Sequence, residues 1–322
     1  MKETLDIEKT KTLKPGDLND VLIAKPFLKW AGGKSQLLER FYDFYPEELK
    51  NGKISNYYEP FVGGGAVFFD VVQRFNIKSA VLYDINPELI LTYSVIQQNV
   101  NELSDILYTI NNKYKSLDSD NQVSFFYDVR NEFNRNLGKI NFLKYSKDWI
   151  LRAAQIIFLN KTCFNGLFRF NRKGEFNVPA GRYINPKILD QENLVQVSKL
   201  LQIAEIKNAG FETVEFDITE NSFVYFDPPY RPISKTAGFT SYSKFKFDDD
   251  EQKKLAELYR RLNMKGIRLM LSNSDPKNID TNDNFFDEIY CDFKISRLPA
   301  RRMINSDASK RDSINEIVVT NF

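Results

Sequence analysis

The stretch that decides the fold is residues 57–86, YYEPFVGGGAVFFDVVQRFNIKSAVLYDIN. A short apolar run meets Gly63-Gly64-Gly65, a segment with helical spacing of its apolar residues follows, and SAVLYDIN has the pattern of a second strand. Strand, tight turn, helix and strand form a βαβ unit, which usually belongs to a parallel sheet. Pro87 comes next, where the first turn of a helix accepts proline.

Sheet-like sequence returns later in the chain. SFVYFD (222–227), IRLMLSN (267–273) and INEIVVTNF (314–322) are apolar runs of strand length. Between the first two, residues 248–266 begin with acids, carry basic residues near their end and stop at Gly266, as a helix does. Together with the βαβ unit, these runs predict a doubly wound α/β domain.

Residues 87–203 differ in character from the sheet sequence. Amphipathic helical segments extend from 87 to about 160, and RFNRKGEFNV (169–178) alternates around Asn171–Gly174, which predicts a β-hairpin. We interpret 87–203 as a mainly helical insertion into a domain made of residues 25–86 and 204–322. Residues 1–24 lack sustained apolar periodicity and are expected to form a polar leader.

The composition excludes several kinds of chemistry. The chain has 322 residues and no histidine, so it has no Ser-His-Asp triad, no histidine-ligated zinc and no histidine base. Cys163 and Cys291 have no metal-ligand spacing and suggest no disulfide framework, so we expect no metal and a cytoplasmic location. No apolar stretch has the length of a membrane span, so no membrane partner is expected.

Charge is distributed unevenly along the chain. The formal net charge is only +2, yet residues 161–187 and 294–311 each hold six lysines and arginines against one acid. The twelve basic residues are Lys161, Arg169, Arg172, Lys173, Arg182, Lys187, Lys294, Arg297, Arg301, Arg302, Lys310 and Arg311. Both stretches fit a surface that tracks phosphates, and both also fit two solvated loops.

The glycine run predicts a pocket for a nucleoside cofactor. Gly63 follows a strand, and Asp84 ends the next strand 21 residues later, where a carboxylate can accept bonds from ribose hydroxyls. A dinucleotide fingerprint needs glycine where Phe68 stands, and the run can also be a tight turn alone. A phosphate-binding P-loop at Gly33-Lys34 fails because Leu28 occupies its first glycine position.

Asp227-Pro228-Pro229-Tyr230 follows an apolar strand directly, at the edge of the sheet where ligands of open α/β folds bind. Two prolines fix the backbone and remove two donors, so local carbonyls stay free to accept hydrogen bonds. A carboxylate, a carbonyl and an aromatic face suit a planar base with an amino group. A purely structural turn is the alternative.

Eight segments occur in an order that resembles the Dam-type, class alpha family of DNA adenine N6-methyltransferases, and within it the DpnM-type methylases. The segments are FLKWAGGK, YYEPFVGGGAVFFD, DINPELI, FNGLFRFNRKGEFNVPAGRY, FDPPY, FTSYSKFKF, LSNS and INEIVVTNF. The resemblance covers residues 25–322 and is weakest over 278–312. It implies a Rossmann-like methyltransferase sheet with an inserted, mainly helical DNA-recognition domain that carries the β-hairpin, and S-adenosylmethionine as methyl donor.

The resemblance also assigns residues to roles. Asp227, Pro228, Pro229 and Tyr230 become catalytic. The implied cofactor residues are Trp30, Lys34, Glu59, Phe61, Gly63, Asp84, Asp217 and Asp227. The implied DNA-reading residues are Lys29, Phe164, Asn165, Leu167, Arg169, Pro179, Arg182 and Tyr183. Phe164 departs from GATC-reading relatives, which often carry tyrosine there, and keeps an aromatic wedge without its hydroxyl.

The expected activity is therefore methylation of a flipped adenine in double-stranded DNA, with GATC as the expected target and a cognate restriction endonuclease as a possible partner without direct contact. Two other classes remain open at this point. A nicotinamide-dependent oxidoreductase would use Gly63 and Asp84 but leaves the prolyl motif unexplained. A non-catalytic DNA-binding module would explain the basic stretches but has no use for a cofactor pocket.

Overall fold

The computed structural model describes residues 24–231, 247–301 and 313–322. The leader expected over 1–24 lies outside the described residues except for its last position. So do nearly all of FTSYSKFKF and three of the basic residues, Arg302, Lys310 and Arg311.

Within the described residues, seven strands form one sheet. They are β1 Asn56–Glu59, β2 Ser79–Asp84, β3 Ala204–Asn208, β4 Ser222–Phe226, β5 Arg268–Ser274, β6 Lys294–Arg301 and β7 Ser313–Thr320. The order is β3-β2-β1-β4-β5-β7-β6, and the first five strands are parallel while β7 and β6 pair antiparallel. The strand order reverses between β1 and β4, which is where open α/β sheets bind ligands.

The helices pack around this sheet. They are α1 Leu38–Phe41, α2 Glu47–Lys50, α3 Ala66–Arg74, α4 Pro87–Lys115, α5 Ser119–Arg135, α6 Asp148–Thr162, α7 Gln191–Leu201, α8 Val214–Asp217, α9 Asp249–Met264 and α10 Phe285–Ile289. Local sequence explains their ends. Pro87 is the first residue of α4, and the Asn86 side chain caps it by accepting from the Glu88 amide. Asp248 caps α9 in the same way, and Gly266 follows its end with φ of 75°.

Both faces of the sheet are covered, which confirms the expected doubly wound α/β architecture. Successive strand residues point to opposite faces, so Tyr57 belongs to one buried cluster and Tyr58 to the other. The first cluster joins the sheet to α3, α4 and α7, whereas the second joins it to α9 and α10. Hence the edge at which β1 and β4 end lies between two packed layers.

The helical region is packed continuously against the sheet domain. Helix α4 has a kink at Asn99 and contacts β2, β3 and α7 as well as α5 and α6. A buried ion pair joins the Glu88 carboxylate to the Arg152 guanidinium, which also donates to the Phe133 carbonyl at 2.9 Å. The boundaries at residues 87 and 203 therefore stay a prediction, because one hydrophobic core spans both parts.

Two strands and one hairpin differ from expectation. Neither β3 nor β6 has the apolar run of a central strand, because each lies at an edge of the sheet and leaves much of its surface to solvent. The chain reverses around Asn171–Gly174 as expected, since the Gly174 amide donates to the Asn171 carbonyl at 2.9 Å. The two arms of this hairpin pair as β-structure at one position, Phe170 with Phe176, and neither arm forms a β-strand.

Candidate active site

Four side chains meet at the reversal point of the sheet: Lys34 and Glu316 are buried, whereas Asp227 and Tyr230 keep 22% and 37% of their surface exposed. The Lys34 ammonium lies 2.7 Å from Asp227 Oδ1 and 3.7 Å from Glu316 Oε2. It also donates to the Tyr230 hydroxyl at 3.1 Å and to the Gly32 carbonyl at 3.0 Å. The Tyr230 hydroxyl in turn donates to Glu316 Oε1. Segments far apart in the sequence thus assemble one charged network.

The network keeps its lysine charged and its aspartate near the edge of ionisation. Burial by itself lowers the pKa of Lys34, but Asp227, Tyr230 and Glu316 together raise it above its usual range. Burial raises the pKa of Asp227 to about 6, an effect that Lys34 opposes and Glu316 reinforces. At neutral pH Asp227 is therefore mostly a carboxylate, but it can accept a proton readily.

The backbone of the prolyl motif is only partly free to accept hydrogen bonds. Gln252 Nε2 donates to the Pro229 carbonyl at 3.1 Å, so the local carbonyls that were expected to stay free do not include that of Pro229. No side chain or amide within the described residues donates to Pro228, whose carbonyl remains available. Tyr230 keeps 37% of its surface exposed. A carboxylate, a carbonyl and an aromatic ring therefore stand side by side.

The glycine run brings two aromatic side chains against the loop after β1. Gly63 has φ of +46°, and a Cβ there would lie 2.5 Å from Trp30 Nε1. Gly65 has φ of +71°, and a Cβ there would lie 2.5 Å from the Tyr93 hydroxyl, which donates to the Gly63 carbonyl at 3.1 Å. No larger side chain fits at either position without displacing these groups. The run is thus a packed cradle as well as a turn.

Asp84 lies beside this cradle at the end of β2. Its carboxylate accepts from the Gly63 amide at 3.3 Å and from the Asn86 amide at 2.9 Å. Burial raises the pKa of Asp84 to about 6, and these amides oppose the rise. The structure therefore brings the predicted residues Trp30, Gly63 and Asp84 together around the loop after β1.

Glu59 and Phe61 flank the same loop. Glu59 is 2% exposed and accepts from the Tyr57 hydroxyl at 2.7 Å. Burial raises the pKa of Glu59 well above its usual range, and the hydrogen bond from Tyr57 opposes the rise. The Phe61 ring packs against Phe211 and Phe247, with ring centroids 5.5 Å away in each case.

Asp217 is held by a separate set of contacts. One of its carboxylate oxygens accepts from Lys207 Nζ and from the Tyr83 hydroxyl, both at 2.8 Å. Burial tends to raise the pKa of Asp217, yet these two donors hold it below its usual range. Its contacts within the described residues do not include Gly63 or Asp84, so a cofactor role for Asp217 stays a prediction.

We call residues 161–187 the recognition segment. The Phe164 amide donates to the Pro179 carbonyl at 2.9 Å, and Cys163 bridges Ala180, so the two ends of the segment lie side by side. Phe164 is 52% exposed, and Asn165 adopts φ of 55°, an uncommon conformation outside glycine. These two neighbours project from a tightly held loop.

Asn160, which sequence reasoning missed, ties the recognition segment to the loop of Lys29. Its fully buried amide accepts from the Lys29 amide at 2.7 Å and donates to the carbonyls of Lys29 and Gly166 at 2.9 and 3.0 Å. The Lys29 ammonium lies 4.0 Å from the centre of the Tyr183 ring. An asparagine within the apolar run IIFLN of α6 was the available signal.

Each basic stretch has a residue that pairs with an acid, and in the first stretch it is Lys187, which lies 2.7 Å from Asp190. Among the described residues, no acid forms an ion pair with Lys29, Arg169 or Arg182, although Arg169 Nε donates to Asn177 Oδ1 at 3.0 Å. By contrast, Arg297 on β6 pairs with Asp275 at 2.9 Å and with Asp287 at 2.8 Å. The interpretation of residues 294–311 as a phosphate surface stays a prediction, and the charge of Arg297 is already matched by two acids of the same chain.

Glu316 is the second functional candidate that sequence reasoning missed. It sits in an otherwise apolar strand, between Asn315 and the fully buried residues Ile317, Val318 and Val319. An acid within a buried run is the signal, because a charge in such a place needs a specific partner.

No helix among the described residues is long and apolar enough to cross a membrane.

Comparison with known sequences identifies the class of protein that this site and fold define. Residues 30–304 match the profile described as D12 class N6 adenine-specific DNA methyltransferase. The chain belongs to this family. It is therefore a DNA adenine N6-methyltransferase, and S-adenosylmethionine is its methyl donor. This decides against an oxidoreductase and against a non-catalytic DNA-binding module.

Individual relatives cover nearly the whole chain. Type II methyltransferase M.MjaIII of Methanocaldococcus jannaschii is 48% identical over 299 residues, which are 92% of this chain and 99% of the relative. Type II methyltransferase M1.LlaDCHI of Lactococcus lactis subsp. cremoris is 37% identical over 92% of this chain and 95% of its own length. The DNA adenine methylase of Haemophilus influenzae is 32% identical over 96% of both chains.

Proposed function

We propose that Asp227-Pro228-Pro229-Tyr230 is the methyl-transfer site of this enzyme. The observation that carries the proposal is the Asp227 carboxylate, which lies directly after β4, is 22% exposed and stands beside the available Pro228 carbonyl and the partly exposed Tyr230 ring. Asp227 and the Pro228 carbonyl accept the two N–H bonds of the adenine amino group, and Tyr230 stacks on the base. Adenine reaches this site only when it is flipped out of the duplex.

The cofactor pocket that we propose adjoins this site. Trp30, Gly63 and Asp84 form its wall, where the crowded glycine loop leaves backbone close to a ligand and the Asp84 carboxylate accepts from ribose hydroxyls. Lys34, Glu59 and Phe61 complete it toward Asp227, and Asp217 is assigned to it from the sequence. S-adenosylmethionine supplies a methyl group on a positively charged sulfur that leaves as a neutral thioether.

Asp227 has two tasks in this mechanism. Its hydrogen bond to the amino group draws the nitrogen lone pair out of conjugation with the base and directs it at the methyl carbon. The nitrogen gains a bond and must then lose a proton, which the neighbouring carboxylate can take because burial raises the pKa of Asp227 to about 6. Lys34, which is charged and lies beside Asp227, takes no part in this proton transfer.

We further propose that the recognition segment reads GATC. Arg169 reaches guanine O6 and N7, because arginine pairs bidentately with this edge, and Leu167 and Pro179 offer apolar surface to a thymine methyl. Lys29, Arg182 and Tyr183 hold flanking phosphates and the outer guanine. Phe164 and Asn165 fill the stack while adenine is flipped. The support is that Lys29, Arg169 and Arg182 form no ion pair within the described residues, although Lys187 of the same segment pairs with Asp190.

We also propose a domain organisation, a location and a functional partner for the enzyme. Residues 87–203 act as the target-recognition domain and residues 25–86 with 204–322 as the catalytic domain. The enzyme works in the cytoplasm. A restriction endonuclease that recognises the same site is its functional partner, without direct contact between the two proteins.

One experiment tests the target sequence and the position of the transferred methyl group together. Duplexes that carry GATC, or one of its twelve single-base substitutions, are incubated with enzyme and labelled S-adenosylmethionine, and mass spectrometry of the products locates the methyl group. We expect N6-methyladenine within GATC alone. Methylation centred on another tetranucleotide would disprove the GATC assignment and leave the family activity intact.

A further inference from the structure

Glu316 has an unusual position for a carboxylate. It is 5% exposed on β7, opposite Ser274 of β5 and Leu298 of β6, in a strand whose next three residues are fully buried. Burying an ionised carboxylate is strongly unfavourable unless it is paired. An apolar side chain would fill this position equally well if packing were its only role. The partners of the Glu316 carboxylate therefore indicate the role of its charge.

The two oxygens of Glu316 are used differently. Oε1 accepts from the Tyr230 hydroxyl, which fixes the aromatic ring of the prolyl motif from the far side. Oε2 accepts no hydrogen bond within the described residues, yet it lies 3.7 Å from the Lys34 ammonium. Oε2 of Glu316 is therefore a buried oxygen without a hydrogen-bond donor in the described part of the chain, and it lies near the buried Lys34 ammonium.

The unpaired Oε2 of Glu316 matters because the Lys34 ammonium and the adenine amino group compete for the Asp227 carboxylate. Asp227 is now the close partner of Lys34, at 2.7 Å. When an Asp227 oxygen turns to an amino group, Lys34 loses part of that pairing in a site where it is 3% exposed. An unpaired buried ammonium is costly, and a short movement of Lys34 to Glu316 restores a partner.

We propose that Glu316 is a positioning residue for methyl transfer, which receives the Lys34 ammonium and holds the Tyr230 hydroxyl while Asp227 engages the adenine amino group. The inference rests on the role proposed above for Asp227. It requires no further ligand, and every group involved belongs to the described residues. Glu316 acts through Lys34 and Tyr230 and does not touch the base.

Two substitutions separate the charge of Glu316 from its hydrogen bond. Glu316→Gln keeps an oxygen that can accept from Tyr230 but removes the negative charge, whereas Tyr230→Phe keeps the charge and removes the hydroxyl. Single-turnover methylation with saturating cofactor and DNA measures each. We expect Glu316→Gln to slow methyl transfer roughly ten- to hundredfold, with a smaller loss for Tyr230→Phe and little change in KM for DNA.

The pH profile supplies a readout that a purely structural role would not change. The groups facing Asp227 are Lys34, Glu59, Tyr225, Tyr230, Ser272 and Glu316. Burial raises the pKa of Asp227, Lys34 lowers it, and Glu316 raises it. Losing the Glu316 charge should therefore move the acidic limb of the single-turnover rate to lower pH. Glu316→Asp, which keeps a charge, should leave the limb near its wild-type position.

The outcomes are distinguishable. If Glu316→Gln transfers methyl groups at the wild-type rate with an unmoved acidic limb, the inference is overturned, while an inactive Asp227→Ala variant would still support the proposed site. If Asp227→Ala stays active, the proposed site itself fails. Should Glu316→Gln lose its fold, as judged by circular dichroism and cofactor binding, Tyr230→Phe decides: a slowed rate with little change in KM for DNA supports the inference, and a wild-type rate contradicts it.

Discussion

The side-chain cluster at Asp227 and the recognition segment use charge in opposite ways. In the cluster, the Lys34 ammonium lies between two carboxylates of the same chain, so its charge is matched before any ligand arrives. In the recognition segment, Arg169 and Arg182 have no acidic partner within the described residues. Matched charges orient a reacting group with little reorganisation, whereas unmatched charges at a surface are available to phosphates and base edges.

The largest effect should come from the cluster. Asp227→Ala should lower the methyl-transfer rate by about 10²- to 10³-fold, as removal of a preorganised electrostatic group does, and should weaken cofactor binding to a lesser degree. Duplex affinity and its salt dependence should hardly change, because no phosphate contact is lost. Filter binding beside single-turnover kinetics checks this. A variant that turns over at near wild-type rate would show the motif to be structural.

Asp84→Ala should have the next largest effect, on the cofactor rather than on DNA. A buried ribose would lose a charged acceptor worth about 1.5 to 3 kcal/mol, which corresponds to a loss of affinity of roughly ten- to a hundredfold. Calorimetric titration with S-adenosylmethionine measures it, and NAD serves as a ligand that should not bind. Unchanged affinity would remove Asp84 from the proposed pocket wall.

In the recognition segment, Arg169→Ala should change specificity more than rate. Loss of a bidentate pair with guanine should cost about 1 to 3 kcal/mol of discrimination at one base position. The measurement compares kcat/KM on GATC and on its single-base substitutions for the wild type and the variant. Full discrimination by the variant would mean that Arg169 merely solvates the loop.

The smallest effect compares the two basic stretches directly. Arg182→Ala should weaken binding to all duplexes alike and reduce the slope of log affinity against log salt by about 1. Arg297→Ala is the matched control, because Asp275 and Asp287 already pair with its guanidinium. Its salt slope should equal that of the wild type. A reduced slope for Arg297→Ala would restore β6 to the DNA-binding surface.

These contrasts also show what sequence could and could not predict. Strands β1, β2, β4, β5 and β7 were predictable because buried strands need apolar runs, while the edge strands β3 and β6 lack them. Motifs placed Lys34 and Asp227, yet the pairing of both with Glu316 depends on a strand order that no local pattern contains. Likewise, the basic composition of residues 294–301 gave no sign that Asp275, directly after β5, and Asp287 of α10 approach Arg297.

The loop of Lys29 and Trp30 joins two parts of the enzyme through adjacent residues. Lys29 packs on Gly166, where an added Cβ would lie 2.2 Å from its side chain, and Trp30 packs on Gly63 and against Phe168 at 5.3 Å between ring centres. Neither neighbour can shift without pulling the other. With the roles proposed above, new target sequences are more accessible to evolution by exchanging exposed side chains such as Phe164 than by replacing the recognition segment, which is packed against the loop of Lys29 and Trp30.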